Sequence, residues 1–282
     1  MKNNNQMISA CLVVYNEEKI IRRCLESIKD VVDEIIIVHD GECIDNTLNI
    51  CREYTSKIFV RKHIGEASVD RVFSFKKAKG TWILQMDADE FLSRELKENI
   101  RGLVNQERVD GYSFLWPYTN GKKYITKCIN YPHKTCLMRK NKMYFIGIPH
   151  QPLKTYGKLQ VSDLLLEHKP NYNNYTWQSF KTKWLKWVKI HAQYLCKDFD
   201  AIPKFNVKDK NWYKGKGFIF RKIQPIVYIP FIFFRSLLGS IKAGMWKVGI
   251  IGIKIAILHS LYQACLCYYV FKFRKKSIKS IN

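Results

Sequence analysis

Apolar residues in the first ninety positions come in short continuous runs, each followed by a polar cluster and then an amphipathic stretch. Ile8-Ser-Ala-Cys-Leu-Val-Val14 is the first run, with the length and character of a strand buried on both faces. Tyr15-Asn-Glu-Glu18 follows as a turn and helix start, and Ile20, Ile21, Cys24, Leu25 and Ile28 recur at the spacing of one helix face. Glu34 to His39 predicts a second buried strand, ending in Asp40-Gly41. Asp45 stands where a helix cap belongs, and Leu48, Cys51 and Tyr54 form the face of that helix. Ser56 to Val60 predicts a third strand and Ser68 to Lys79 a helix stopped by Gly80. Thr81 to Met86 predicts a fourth strand, running into Asp87-Ala-Asp-Glu90.

This alternation of strand and helix is the pattern of a doubly wound, mostly parallel α/β sheet. Its connections should be right-handed, and ligands should bind at the carboxyl ends of the strands. Three of those ends carry polar clusters: Tyr15-Asn16-Glu17, His39-Asp40 and Asp87-Ala-Asp89. From Gly111 to His168 short apolar stretches alternate with Pro, Gly and Asn, which predicts a smaller, mixed or antiparallel part. Tyr175 to Cys196 predicts a helix rich in Trp and Lys, followed by a Lys/Gly-rich linker near Lys208 to Gly217. The chain therefore divides into 1–110, 111–200 and 201–282.

Charge changes the picture of the last part. The chain carries 48 Lys and Arg against 24 Asp and Glu, a formal net charge of +24. Residues 201–282 hold 16 of those cations and a single acid, Asp209, together with the longest apolar runs. Basic residues interleaved with aliphatic ones favour a membrane surface over nucleic acid. The 9 cysteines include no paired CxxC motifs, so they are expected to be reduced thiols of a cytosolic protein. Residues before Met7 are polar and carry no secretory signal, so the catalytic part is expected to face the cytoplasm.

The residues that carry chemistry are Asp87 and Asp89. In extended chain, positions i and i+2 point the same way, so both carboxylates can approach one site. Hard cations such as Mg²⁺ or Mn²⁺ take oxygen ligands. Such an ion can bridge a carboxylate to a diphosphate and neutralise the charge of a leaving group. A solvated turn that happens to hold two acids is the plainer alternative.

At these residues the chain resembles the family-2 glycosyltransferases with the GT-A fold. The resemblance rests on Leu12-Val-Val-Tyr-Asn-Glu-Glu18, on Val38-His-Asp-Gly-Glu-Cys-Ile-Asp-Asn-Thr47, on Arg71 with Ala78-Lys-Gly80, and on Trp82-Ile-Leu-Gln-Met-Asp-Ala-Asp-Glu90. Within that family it is most similar to bacterial enzymes that add sugars to lipopolysaccharide cores or surface polysaccharides. The resemblance implies a nucleotide-sugar-binding half in 1–110 and an acceptor-binding half in 111–200, and the charge and apolar runs of 201–282 add a membrane-associated helical tail. It implies that Tyr15 and Glu17 line the base and ribose, that Asp40 bonds the base, and that Arg71 meets the diphosphate or base. Asp87 would bind ribose or the metal shell, and Asp89 the Mg²⁺ or Mn²⁺ directly. Asp45 as a helix cap and Arg71 as a surface cation are the structural alternatives. The chain departs from the family pattern in three places. The loop His39 to Asp45 is one residue longer, Val72 follows Arg71, and Gln151 stands where relatives carry Glu.

Ile148-Pro-His-Gln151 resembles a Val-His-Glu motif, which makes His150 a candidate metal ligand or diphosphate contact, against the alternative of a packed histidine. His168 matches a family histidine near the end of the acceptor part and is a structural candidate too. Inverting transfer needs a carboxylate to accept the acceptor hydroxyl proton. Gln151 is an amide and cannot be that base, so Glu90, Asp163 and Glu167 are the candidates, Glu90 first for its closeness to Asp89. In the tail, Gln224 to Leu238 and Val248 to Phe271 are apolar but interrupted by prolines and polar residues. Interfacial or re-entrant helices fit that pattern better than clean spans, and a soluble subdomain packed on the catalytic part is the alternative. The expected activity is transfer of a sugar from a nucleotide-diphosphate donor to a lipid-linked or cell-surface glycan acceptor, on the cytoplasmic face of a membrane and without nucleic acid. A sugar-nucleotide nucleotidyltransferase and an inactive glycan-binding relative are the other readings. The first would be expected to carry a Gly-rich loop with Arg and Lys in the place of Tyr15-Asn-Glu-Glu18.

Overall fold

The structure, a computed structural model, describes residues 6–119, 124–125, 132–208 and 225–279. The four expected strands are β1 (Ile8–Val14), β2 (Glu34–Asp40), β3 (Ile58–Arg61) and β4 (Trp82–Met86), joined by helices α1 (Ile21–Ile28), α2 (Thr47–Arg52) and α3 (Ser68–Lys77). β1 pairs in parallel with β2 and β4, and β2 with β3. Every residue of β2 and β4 is buried, which is why these strands are written as unbroken apolar runs. β5 (Glu90–Leu92) and α4 (Arg94–Val104) follow, the helix capped by Ser93 Oγ, which accepts the Leu96 N–H at 3.2 Å.

The part from Gly111 onward does not build a sheet of its own. β6 (Gly111–Leu115), β9 (His133–Arg139) and β12 (Leu159–His168) extend the first sheet, giving the order β3-β2-β1-β4-β9-β6-β12-β5. β9 runs antiparallel to both β4 and β6. Tyr112, Phe114, Cys136, Leu137 and Leu166 from these strands join the core that β1 and α1 begin, so one core serves both halves. Small sheets remain at the margin: β7 (Tyr118–Thr119) with β8 (Tyr124–Ile125), and β10 (Met143–Ile146) between β11 (Lys154–Thr155) and a later strand, β13 (Lys204–Phe205).

Helices cover both faces. α1 turns Ile21, Cys24, Leu25 and Ile28 inward and leaves its arginines exposed; each such burial stabilises by roughly 1.5–3 kcal/mol. On the other face Val72 and Phe75 of α3 pack with Cys11, Ile36 and Ile83. α3 ends at Lys77, and Ala78 is already extended. Gly80, expected as the helix stop, serves close approach instead: a Cβ there would lie 2.6 Å from Ser9 Oγ and 2.7 Å from Ser9 N.

Beyond β12 a short helix α5 (Trp177–Ser179) and a π-helical turn (Phe180–Trp184) lead into α6 (Leu185–Cys196). Two long helices close the chain, α7 (Pro225–Lys242) and α8 (Ile250–Lys279), which carry the two apolar stretches seen in the sequence. α8 packs on α6 and the π turn through Leu258, Tyr262 and Leu266 against Trp184, Val188 and Ala192. The expected linker near Lys208 to Gly217 lies outside the described residues apart from Lys208. The cysteines among the described residues are free thiols.

Candidate functional site

The parallel arrangement carries the polar clusters after β1, β2 and β4 to one edge. Asn16 takes a left-handed backbone, φ 52°, which Asn tolerates better than most residues. In that conformation its N–H reaches His39 Nε2 at 3.3 Å and its side-chain oxygen accepts the Ile44 N–H at 3.0 Å. Tyr15 lies beside His39 and His63, ring centres 5.9 and 4.8 Å away, and remains 45% exposed. Asp45 accepts the Thr47 N–H at 2.9 Å and the Glu18 N–H at 3.2 Å, so it fastens the start of α2 to the turn after β1. Asp40 is buried, with its carboxylate accepting the Ile64 and Gly65 N–H groups at 2.6 and 2.8 Å. In this structure it shapes the turn after β3, which holds Gly41 at φ 103° against His63, and its oxygens are occupied by that task.

The turn from β4 to β5 is tight, with the Glu90 N–H on the Asp87 carbonyl at 3.0 Å. Its two acids have different surroundings. Asp87 Oδ1 accepts from Arg71 at 2.6 Å and Gln85 at 3.1 Å, while Oδ2 accepts from Lys134 Nζ at 2.8 Å. Burial alone would raise its pKa, but the Arg71 and Lys134 charges outweigh that and hold the carboxyl well below the usual range. Arg71 is therefore a partner of Asp87 and not a surface cation. Asp89 lies beside the end of β12 instead. Its Oδ2 is 3.3 Å from His168 Nε2, and its carbonyl accepts the Lys169 N–H at 2.9 Å. His168 is buried and stacks on Trp116, ring centres 4.1 Å apart.

Glu90 does not suit the base role expected of it. It is fully buried, both oxygens accept from Lys134 at 2.7 and 2.6 Å, Oε1 accepts the Trp116 indole N–H at 2.7 Å, and Oε2 accepts the Asp87 N–H at 2.9 Å. It anchors Lys134 from beneath the acids. Asp163 is exposed, in the irregular stretch between Ser162 and Leu165 of β12. It stands five residues before His168, on the order of 15 Å along an extended strand, and is off this edge. Glu167 accepts a hydrogen bond from the Tyr124 hydroxyl.

Glu17 shares the edge with Asp89 and Asp87. Burial, then repulsion from Asp89, pushes its pKa up to about 7, with Lys183 acting the other way. Lys183 comes from the π turn, lies 3.9 Å over the Tyr172 ring and bonds its hydroxyl, and feels the charges of Asp89 and Glu17. π turns recur at functional sites. His150 sits at φ 59°, uncommon for a residue other than glycine. Part of the residue reaches solvent, but its ring is surrounded by Trp187, His191 and Tyr262. Desolvation, then the Arg71 charge, lowers its pKa to about 4, so the imidazole is neutral at physiological pH.

The expected metal set of Asp87, Asp89 and His150 is not brought together: among the described residues no three His, Cys, Asp or Glu side chains converge to hold an ion. Asp87 is taken by cations, and His150 stands among Trp187, His191 and Tyr262. Asp89 with His168 leaves a two-ligand position, which suits an ion whose other ligands come from substrate phosphates. Lys134, Trp116, Tyr172 and Lys183 were not singled out from the sequence. Lys134 had a signal, since it alternates with Cys136 and Met138 along an apolar strand, where a lysine needs an acid partner. A pocket of about 590 Å³ at the opposite edge, lined by Thr81, Arg139, Lys140 and Phe205 among others, holds none of these acids.

Comparison with known proteins covers the same region. An uncharacterized glycosyltransferase of Rickettsia felis is 35% identical over 107 residues, 38% of this chain and 37% of that protein. The glycosyltransferase SunS from the SPbeta prophage of Bacillus subtilis is 35% identical over 101 residues, 35% of this chain and 24% of that protein. The chain thus matches between about a quarter and little more than a third of such relatives. The crystal structure of TarS from S. aureus superposes over 89% of this chain and 55% of that one, with a TM-score of 0.48 and 14% identity. The profile described as Glycosyl transferase family 2 matches residues 9–154. Those residues run from the first core strand through both acids of the β4 turn to the His150 segment, more than half of the chain, and place it in glycosyl transferase family 2.

Proposed function

We propose that this chain moves a sugar from a nucleotide-diphosphate donor to a membrane- or lipid-linked glycan acceptor, with inversion and with Mg²⁺ or Mn²⁺. The observation that carries the reading is the division of labour at the β4 turn. Asp87 is neutralised by Arg71 and Lys134, while Asp89 stands next to His168 and makes no ion pair with a Lys or Arg among the described residues. Asp89 and His168 would hold a divalent ion, whose charge would offset that of a departing diphosphate. Tyr15 offers an exposed ring for the base, and Lys183 brings a cation to the side of Asp89 where an anionic donor would lie. Neutral His150 can accept or donate a hydrogen bond there without adding charge. The basic, apolar last third supports a membrane-associated protein working at the cytoplasmic face, where lipid-linked acceptors present their glycans. Surface-polysaccharide or lipopolysaccharide-core synthesis is the setting that suits such an acceptor.

The experiment is a panel of nucleotide sugars read by donor hydrolysis and by thermal shift with Mn²⁺. One preferred donor, with its signal lost in Asp89→Ala, is the expected result. Binding of duplex DNA with no response to any nucleotide sugar would refute the reading. Gln151, an amide where relatives carry Glu, supports a second reading as a glycan-binding relative without turnover. Donor binding with no transfer and no hydrolysis would favour that one.

A further inference from the structure

The two last helices differ in what their apolar residues do. Of the described helices, one stretch, Ile250–Arg274 in α8, is long and apolar enough to cross a bilayer, and half of it is buried inside the protein. Leu258, Tyr262 and Leu266 are committed to α6 and the π turn, and His191 Nδ1 meets the Tyr262 hydroxyl at 3.1 Å. A spanning α8 would have to abandon this core. α7 is the opposite case. Phe231, Phe234, Leu238 and Ile241 are 54%, 59%, 57% and 44% exposed. Their spacing of three, four and three places them within an arc of roughly 80° on one helix face. At the end of α7 the connecting turn adds Trp246, 56% exposed, and α8 begins with Ile250, 86% exposed. Arg235 and Lys242 are also exposed and border the apolar arc, within about 40° of it by helix geometry. Lys247 is exposed in the turn. The described residues of α7, the turn and α8 include no acid.

We infer that α7 and the α7–α8 turn form a monotopic docking face for an anionic bilayer, lying in the headgroup layer with this stripe down, and that α8 does not cross the membrane. This deepens the membrane reading proposed above and commits it to one surface. An apolar stripe with a Trp at its end and cations along its border is the composition of an interfacial helix. The cations match anionic headgroups rather than a second copy of the same face, which would set like charges together.

The test uses the full chain and sedimentation with vesicles of phosphatidylcholine alone or with phosphatidylglycerol. The chain should pellet with the anionic vesicles and much less with the neutral ones. Phe231→Ser/Phe234→Ser/Leu238→Ser should lower vesicle partitioning by about tenfold or more. Arg235→Gln/Lys242→Gln should remove the preference for anionic vesicles. Hydrogen exchange on the unmodified chain keeps the test independent of variant folding, since amides of 231–250 should gain protection with anionic vesicles. Alkaline carbonate should strip the chain from membranes. Vesicle binding unchanged in the triple variant, a dimer that the triple variant splits while lipid binding stays, or resistance to carbonate would each overturn the inference. Donor hydrolysis, read separately on the same triple variant, should be unchanged, so loss of the docking face and loss of the transferase reading give different results.

Discussion

Replacing Lys134 by Met removes the cation that Glu90 touches among the described residues. Glu90 is fully buried and keeps the Trp116 indole N–H and the Asp87 N–H as partners, while Asp87 retains Arg71 and Gln85. Removing one member of a buried ion pair costs about 3–5 kcal/mol, because the other charge stays buried. For a chain of this size that is on the order of 10 °C in melting temperature. The loss should depend on pH. Burial already raises the Glu90 pKa, with Lys134 opposing, and without the ammonium it rises further. A carboxyl whose folded pKa lies above its unfolded value stabilises most below the unfolded value and loses that contribution as pH rises. Lys134→Met should therefore be hurt less near about pH 5.5 than near pH 8. Adding Glu90→Gln should recover much of the loss, a coupling measurable by a double-mutant cycle in urea. A loss under about 1 kcal/mol, or additive single changes, would refute this account of the acid cluster.

What was legible in the sequence follows from burial. β1, β2 and β4 are covered on both faces, so their apolar runs are continuous and their polar ends mark where a ligand edge lies. The Asp87–Asp89 pair could be found for that reason. β9 could not be placed between β4 and β6, since antiparallel insertion far along the chain leaves no local pattern. With β9 unplaced, Lys134 had no visible partner, and Glu90 looked free when it is sealed beneath it. His168 reaches Asp89 only because β12 runs beside β5 with His168 opposite Glu90, a pairing that spacing in the chain does not encode. The apolar stretches of the last two helices were visible, yet their composition did not distinguish the buried one from the exposed one.

Glu17→Gln should flatten the pH dependence of Mn²⁺ affinity. In the unchanged chain Glu17 ionises near 7, so affinity should climb severalfold between about pH 6 and pH 8; an equal climb in the variant would count against it. In thermal melts the same variant should compare better with the unchanged chain at pH 8 than at pH 5, because the raised Glu17 pKa removes stability as pH rises from the unfolded value to about 7. Gly80→Ala should cost roughly 1–3 kcal/mol in urea unfolding, since the new Cβ meets Ser9 N at 2.7 Å and Met7 O at 2.8 Å; a neutral result would remove the close-approach argument.

The most direct measurement is Mn²⁺ binding by electron paramagnetic resonance in the presence of a nucleoside diphosphate. Asp89→Ala should lower affinity at least tenfold, His168→Gln should lower it less, and His150→Ala should leave it within about twofold. Loss of Mn²⁺ binding in His150→Ala with full binding in Asp89→Ala would contradict a metal held by Asp89.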